Sequence, residues 1–166
     1  MNQTIKINGG KVSELIKYWD GVQKKPIDAD RYPTVFAEWV GGSRSKINFG
    51  ENVTYLGGVK ELNPMQMLLA ALAACNVELI ILNASILGID VESLSIEANG
   101  HYDLRSYFGL DKSGSGYDVI SYTVWLKAPG ITNAQIDYLL ERCEKSYPFG
   151  DSLARKIPMN FEIIVE

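Results

Sequence analysis

The sequence is short of the residues that most often carry chemistry, with a single histidine, His101, and only two cysteines, Cys75 and Cys143, far apart in the chain. Four nitrogen or sulfur ligands cannot be assembled from that set, so a structural zinc site is excluded, and two distant thiols make no disulfide scaffold. Also missing is any dense Lys/Arg tract. With a formal net charge of -4, the chain has no general attraction for phosphate backbones or anionic lipid, which argues against nucleic acid and membrane as partners. The opening residues, Met1 to Lys6, lack the basic, apolar and small-residue zones of a secretory signal. A cytoplasmic protein with two reduced thiols, no metal and no organic cofactor is the expectation.

What the chain does have is apolar substance. Of its 166 residues 46% are hydrophobic and 22% charged, enough for one domain with a sizeable core. We assign a single domain over 1–166, with 1–33 as an N-terminal helical extension and 34–166 as the core. The most apolar stretch, Met65 to Ile89, approaches the length of a membrane span, but it carries Gln66, Asn76, Glu78, Asn83 and Ser85, and a carboxylate in lipid is costly. It reads as a core helix. Asn63-Pro64-Met65-Gln66 supplies its cap, its proline first turn and a reciprocal glutamine, and Gly88 stops it. From Met67 to Cys75 this helix is apolar on every side. One thin sheet cannot cover it, so either a second layer or a partner subunit must.

Around that helix the pattern predicts an α+β arrangement. Val12, Leu15, Ile16, Trp19 and Val22 fall at helical spacing over 11–23, and strands are expected at 34–40, 43–49 and 53–56, the first two joined by a turn at Gly41-Gly42. Segments 91–98 and 117–127 alternate as half-buried strands on either side of a loop, 100–116. Thr132 to Gln135 has capping-box spacing, and Ile136, Leu139, Leu140, Cys143 and Tyr147 then form one apolar stripe up to Pro148. A further helical turn is expected within 151–156, and Met159, Phe161, Ile163 and Val165 alternate as a final strand.

Chemistry, if there is any, centres on Cys75. A thiol in the middle of an apolar helix is ordinarily inert packing, because burial keeps it protonated. To react it needs a cation, and it lies about three turns from the helix N-terminus, beyond useful reach of the dipole, so an arginine from elsewhere must serve. His101 reads as a loop residue, and a Cys75, Glu78 and His101 metal site is disfavoured. Tyr102, Tyr107, Phe108, Tyr117 and Tyr122 read either as packing or as the lining of an apolar ligand site.

The segment Asn63-Pro64-Met65-Gln66-Met67-Leu68-Leu69-Ala70-Ala71-Leu72-Ala73-Ala74-Cys75 resembles the N-P-x-x-L-L-x-A-A-x-A-A-C helix of the OsmC/Ohr family. The likeness continues through Gly88-Ile89-Asp90-Val91-Glu92 and extends over roughly 34–166, with Trp39 to Ser45 similar to one branch that has a longer N-terminus. The resemblance implies antiparallel sheets wrapped around a long central helix in an intertwined homodimer. It also implies thiol-dependent reduction of a small organic hydroperoxide, with Cys75 as the attacking thiol, Arg44 as the arginine beside it, and an external thiol as reductant. The family's carboxylate falls at Met65 and its resolving cysteine at Tyr147, so this chain departs at both. Glu78, one turn after Cys75, either supplies the missing carboxylate or salt-bridges Arg44, and Cys143, on the apolar stripe that leads to Tyr147, is either a packing residue or the second thiol. The competing expectation is a non-catalytic dimer that binds an apolar small molecule at the subunit interface.

Overall fold

A computed structural model describes residues 6–11, 17, 20–25, 30–112, 114–145 and 148–165. In chain order the elements are β1 (Lys6–Ile7), β2 (Gly10–Lys11), β3 (Phe36–Trp39), β4 (Ser45–Phe49), β5 (Asn52–Leu56), α1 (Pro64–Ile86), β6 (Ser93–His101), α2 (Leu104–Tyr107), β7 (Val119–Lys127), α3 (Asn133–Lys145) and α4 (Pro148–Ala154). Among the described residues these strands form three antiparallel sheets: β1-β2, β3-β4-β5 and β6-β7. The α+β class expected from the sequence is what the chain adopts.

The signals at helix α1 act as read. Asn63 Oδ1 accepts from the Gln66 amide at 2.8 Å while Gln66 Oε1 accepts from the Asn63 amide at 3.0 Å, and Pro64 occupies the first turn. By length and composition α1 could cross a membrane. One face of it packs on the rest of the chain: Leu72, Asn76, Leu79, Ile80, Asn83 and Ala84, at i, i+4, i+7, i+8, i+11 and i+12, are buried. The side-chain amide of Asn83 donates back to the Leu79 carbonyl at 2.8 Å, so its donor is satisfied within its own helix.

Against this face lie β6, α3 and α4. One cluster joins Ala84 and Ile89 to Ala128 and Leu139; a second joins Leu72 and Leu79 to Cys75, Ala98, Ile120, Cys143 and Phe149. Helix α3 runs antiparallel to α1, since Leu139 meets Ala84, Arg142 Nε donates to Asn83 Oδ1 at 3.3 Å, and Cys143 lies further toward the start of α1. The turn between β1 and β2 is pinned to the far end of α1 by Asn8. Its Nδ2 donates to Ser85 Oγ (3.1 Å) and the Ile89 carbonyl (2.8 Å), and its Oδ1 accepts from the Val91 amide (2.7 Å).

Four expectations need correcting. Residues 157–165 form no strand: Met159, Phe161 and Val165 are almost wholly exposed, because alternation makes a strand only where a neighbouring edge supplies a hydrogen-bond ladder. The loop 100–116 contains α2, started by Asp103, whose carboxylate accepts from the Arg105 amide at 2.8 Å. Pro148 does not merely stop a helix but opens α4, where proline suits the first position. Lys11 belongs to β2 rather than to a helix; residues 20–24 are helical, while Val12, Leu15, Ile16 and Trp19 of the expected N-terminal helix lie outside the described residues.

Candidate functional site

Cys75 sits on α1 between the levels of Leu72 and Leu79, at the margin of the buried face, and is half-buried. A residue there touches the core on one side and leaves its other side open, neither sealed like Asn76 nor free in solvent. Glu78, three residues on, is turned further round the helix and is exposed. The two share one side of α1.

Arg44 is set by the hairpin between β3 and β4. Gly41 and Gly42 take positive φ angles of 109° and 57°, the Arg44 amide donates to the Gly41 carbonyl at 3.1 Å, and the Val40 amide donates to the Arg44 carbonyl at 3.1 Å. Its side chain then meets a partner that the sequence reading did not single out, Glu61. Arg44 Nε donates to Glu61 Oε1 at 2.9 Å and Nη2 lies 2.7 Å from the same oxygen, while the guanidinium carbon stands 4.1 Å from the centre of the Tyr55 ring. The only sequence signal for Glu61 is its place between two punctuation points, Gly57-Gly58 and Asn63-Pro64, which forces a short fixed turn.

Within one chain Arg44 and Cys75 are apart. Glu61 precedes the helix cap by two residues, and Cys75 lies twelve residues beyond the cap, about 18 Å along the axis at ~1.5 Å per residue. Tyr147, where the resemblance puts a resolving cysteine, lies outside the described residues. Cys143 lines a cavity of about 250 Å³ between α1, β7 and α3 with Asn76, Ile80 and Leu139. Burial, and secondarily the charge of Glu144, pushes its thiol pKa up. Cys143 shares that cavity wall with Asn76, the residue next to Cys75, and with Ile80. Both cysteines are free thiols packed on the same Leu72 and Leu79 cluster.

His101 is exposed at the end of β6, with Nδ1 2.8 Å from Asp118 Oδ1. Tyr117 donates to the Met65 carbonyl at 2.8 Å and meets Tyr102 edge-to-face, so these two aromatics brace the start of α1; Tyr107 and Phe108 are exposed on the loop. Among the described residues no group of three or more His, Cys, Asp or Glu is arranged to hold a metal ion.

A long capped helix carrying a half-buried thiol, packed on an antiparallel sheet and a second antiparallel helix, defines a known class. The OsmC-like protein family model matches residues 57–162, and the chain belongs to that family. Among solved structures it is similar to an OsmC-like protein from Mycoplasma pneumoniae, with a TM-score of 0.66 at 18% identity over 75% of this chain and 89% of that one. It is similar also to an OsmC-like protein of unknown function from Vibrio cholerae, with a TM-score of 0.60 at 12% identity over 74% of this chain and 94% of that one. A third is an organic hydroperoxide resistance protein OsmC from Legionella pneumophila, with a TM-score of 0.53 at 16% identity over 75% and 91%. At these identities the likeness is one of fold. No curated protein matches the chain by sequence.

Proposed function

We propose that the chain is a thiol-dependent organic hydroperoxide reductase in which Cys75 is the attacking sulfur, working as a cytoplasmic homodimer of single-domain chains. The observation that carries this reading is the position of Cys75, half-buried at the edge of the packed face of α1, with Arg44 held ready on a separate element. Since Arg44 is anchored by Glu61 just before the start of α1, and Cys75 lies some three turns into that helix, we assign the guanidinium beside each Cys75 to a second copy. The exposed apolar surface agrees with that: Phe36, Trp39 and Val53 on the three-stranded sheet and Phe161 in the tail want a partner surface.

The Cys75 thiolate attacks the terminal oxygen of the hydroperoxide, forming S–O while O–O breaks. The alkoxide leaves as the alcohol once protonated, and Cys75 is left as sulfenic acid. An external thiol then displaces water to give a mixed disulfide, and a second external thiol releases the reduced enzyme. Arg44 stabilises the thiolate and the charge developing on oxygen. Purified protein with dithiothreitol should consume tert-butyl hydroperoxide, and Cys75→Ser should abolish this; equal rates in the two proteins would overturn the proposal.

A second reading is favoured by the cavity beside Cys143. Ile80, Tyr122, Val124, Leu126, Ile136 and Leu140 make its wall predominantly apolar, as for a non-catalytic protein that holds an apolar small molecule. Native mass spectrometry of protein taken from cells discriminates. A retained hydrophobic ligand with Cys75 reduced favours binding; an unliganded protein with Cys75 oxidised favours the peroxidase.

A further inference from the structure

We infer that Glu61 is the positioning residue for Arg44, supplying from the turn before α1 the carboxylate that this sequence lacks at Met65; the inference rests on the hydroperoxide reductase reading above. The geometry is that of a clamp. One oxygen of Glu61 takes both Nε and Nη2 of Arg44, which fixes the guanidinium plane, and the Tyr55 ring closes one face. Among the described residues Nη1 carries no partner. It is the nitrogen left to donate to a thiolate or to a peroxide oxygen.

The turn that carries Glu61 is itself tied to the hairpin that carries Arg44. The Gly57 amide donates to the Leu62 carbonyl at 2.9 Å, which closes the turn, and the Gly58 amide donates to Ser43 Oγ at 3.3 Å. At Gly57, with φ of 77°, a Cβ would stand 2.1 Å from the Ser43 carbonyl oxygen, so the two backbones approach as only glycine allows. Neither half of the ion pair is deeply buried, with 41% and 25% of the two side chains exposed. An exposed pair of this kind adds little stability. Its specific geometry is better accounted for by orientation than by folding energy.

Two effects of Glu61 on the thiol oppose each other, and that makes the inference testable. If the carboxylate only offsets the charge of Arg44, then Glu61→Gln leaves a stronger cation, and Cys75 becomes more acidic and more reactive. If it positions Arg44, Glu61→Gln frees the guanidinium to wander, and Cys75 becomes less acidic and less reactive. The experiment follows iodoacetamide labelling of Cys75 against pH by peptide mass spectrometry, which separates it from Cys143. Turnover of tert-butyl hydroperoxide with dithiothreitol is measured on the same full-length proteins.

For Glu61→Gln we expect the labelling midpoint to move to higher pH and kcat/KM to fall on the order of tenfold or more. Glu61→Asp should recover part of both, and melting temperatures should stay close to wild type. Because a merely structural role would not move the midpoint in a protein of unchanged stability, an unchanged or lowered midpoint with undiminished turnover overturns the inference. Arg44→Gln separates the levels. If it raises the midpoint while Glu61→Gln does not, only the role of Glu61 falls; if it too leaves the midpoint in place, Arg44 does not serve Cys75 and the role of Glu61 falls with it.

Discussion

The two halves of this chain spend the same kind of residue in opposite ways. Around the second half of α1, small and branched side chains close on one another: Ala84 is fully buried, and Ile89, Ala128 and Leu139 are 5–7% exposed. Around β3-β4-β5 and the C-terminal tail, larger apolar side chains are left open, with Trp39 at 75% and Phe161 at 88% exposed. The first half is complete within one chain. The second has the composition of a core and the exposure of a surface, the pattern of an interaction site.

Substitutions in the two halves should therefore fail in different ways. Leu139→Ala removes a buried side chain from the closed half and should cost about 2–5 kcal/mol in urea-induced unfolding. Trp39→Ala or Phe161→Ala should change the unfolding of an isolated chain far less, and should act on the association equilibrium seen by sedimentation. A large loss of stability at Trp39 in a monomeric sample would break the comparison. Next in size comes the latch at Asn8, which holds the β1-β2 turn to the end of α1 through three hydrogen bonds. Asn8→Ala leaves the Val91 amide short of an acceptor and places alanine at a φ of 53°, so a loss of roughly 1–3 kcal/mol is expected. Asn8→Gly relieves the backbone part only, and the difference between the two variants separates strain from hydrogen bonding.

In both halves the legible elements are the local ones, strands β3, β4 and β5 of the open half included. Cap, proline and glycine signals at Asn63, Pro64 and Gly88 act within a few residues, and the alternation of Leu94, Ile96 and Ala98 needs only one sheet face to satisfy it. The tail was misread because Met159, Phe161, Ile163 and Val165 carry the strand period while the ladder that would realise it depends on another edge. The same split holds at the candidate site. Cys75 and Arg44 were visible through a helix motif and a hairpin, each a local pattern. Glu61 was not, since an ion pair across seventeen residues leaves no periodicity to detect. Nor did spacing alone reveal that Cys143 packs on the same Leu72 and Leu79 cluster as Cys75, because that follows from the antiparallel register of α1 and α3.

The smallest expected effect lies at the exposed end of the β6-β7 pair, and it tests whether the open parts of the molecule hold their form through charge. Asp103 receives the Arg105 side chain and backbone amide, and those hydrogen bonds, with Arg105's charge behind them, lower its carboxyl from 3.8 to about 2. A carboxyl whose pKa is depressed by folding contributes stability that is fully present above its unfolded value, near 4. That contribution fades as pH falls through about 2. The pair is solvent-exposed and screened, so the contribution is small. Asp103→Asn should lower the melting temperature slightly at pH 6, by an amount that shrinks toward zero as the pH approaches 2, and 1 M salt should reduce the difference at every pH. A difference that instead grew on acidification would mean that the neutral carboxyl, not the carboxylate, is the form that starts α2.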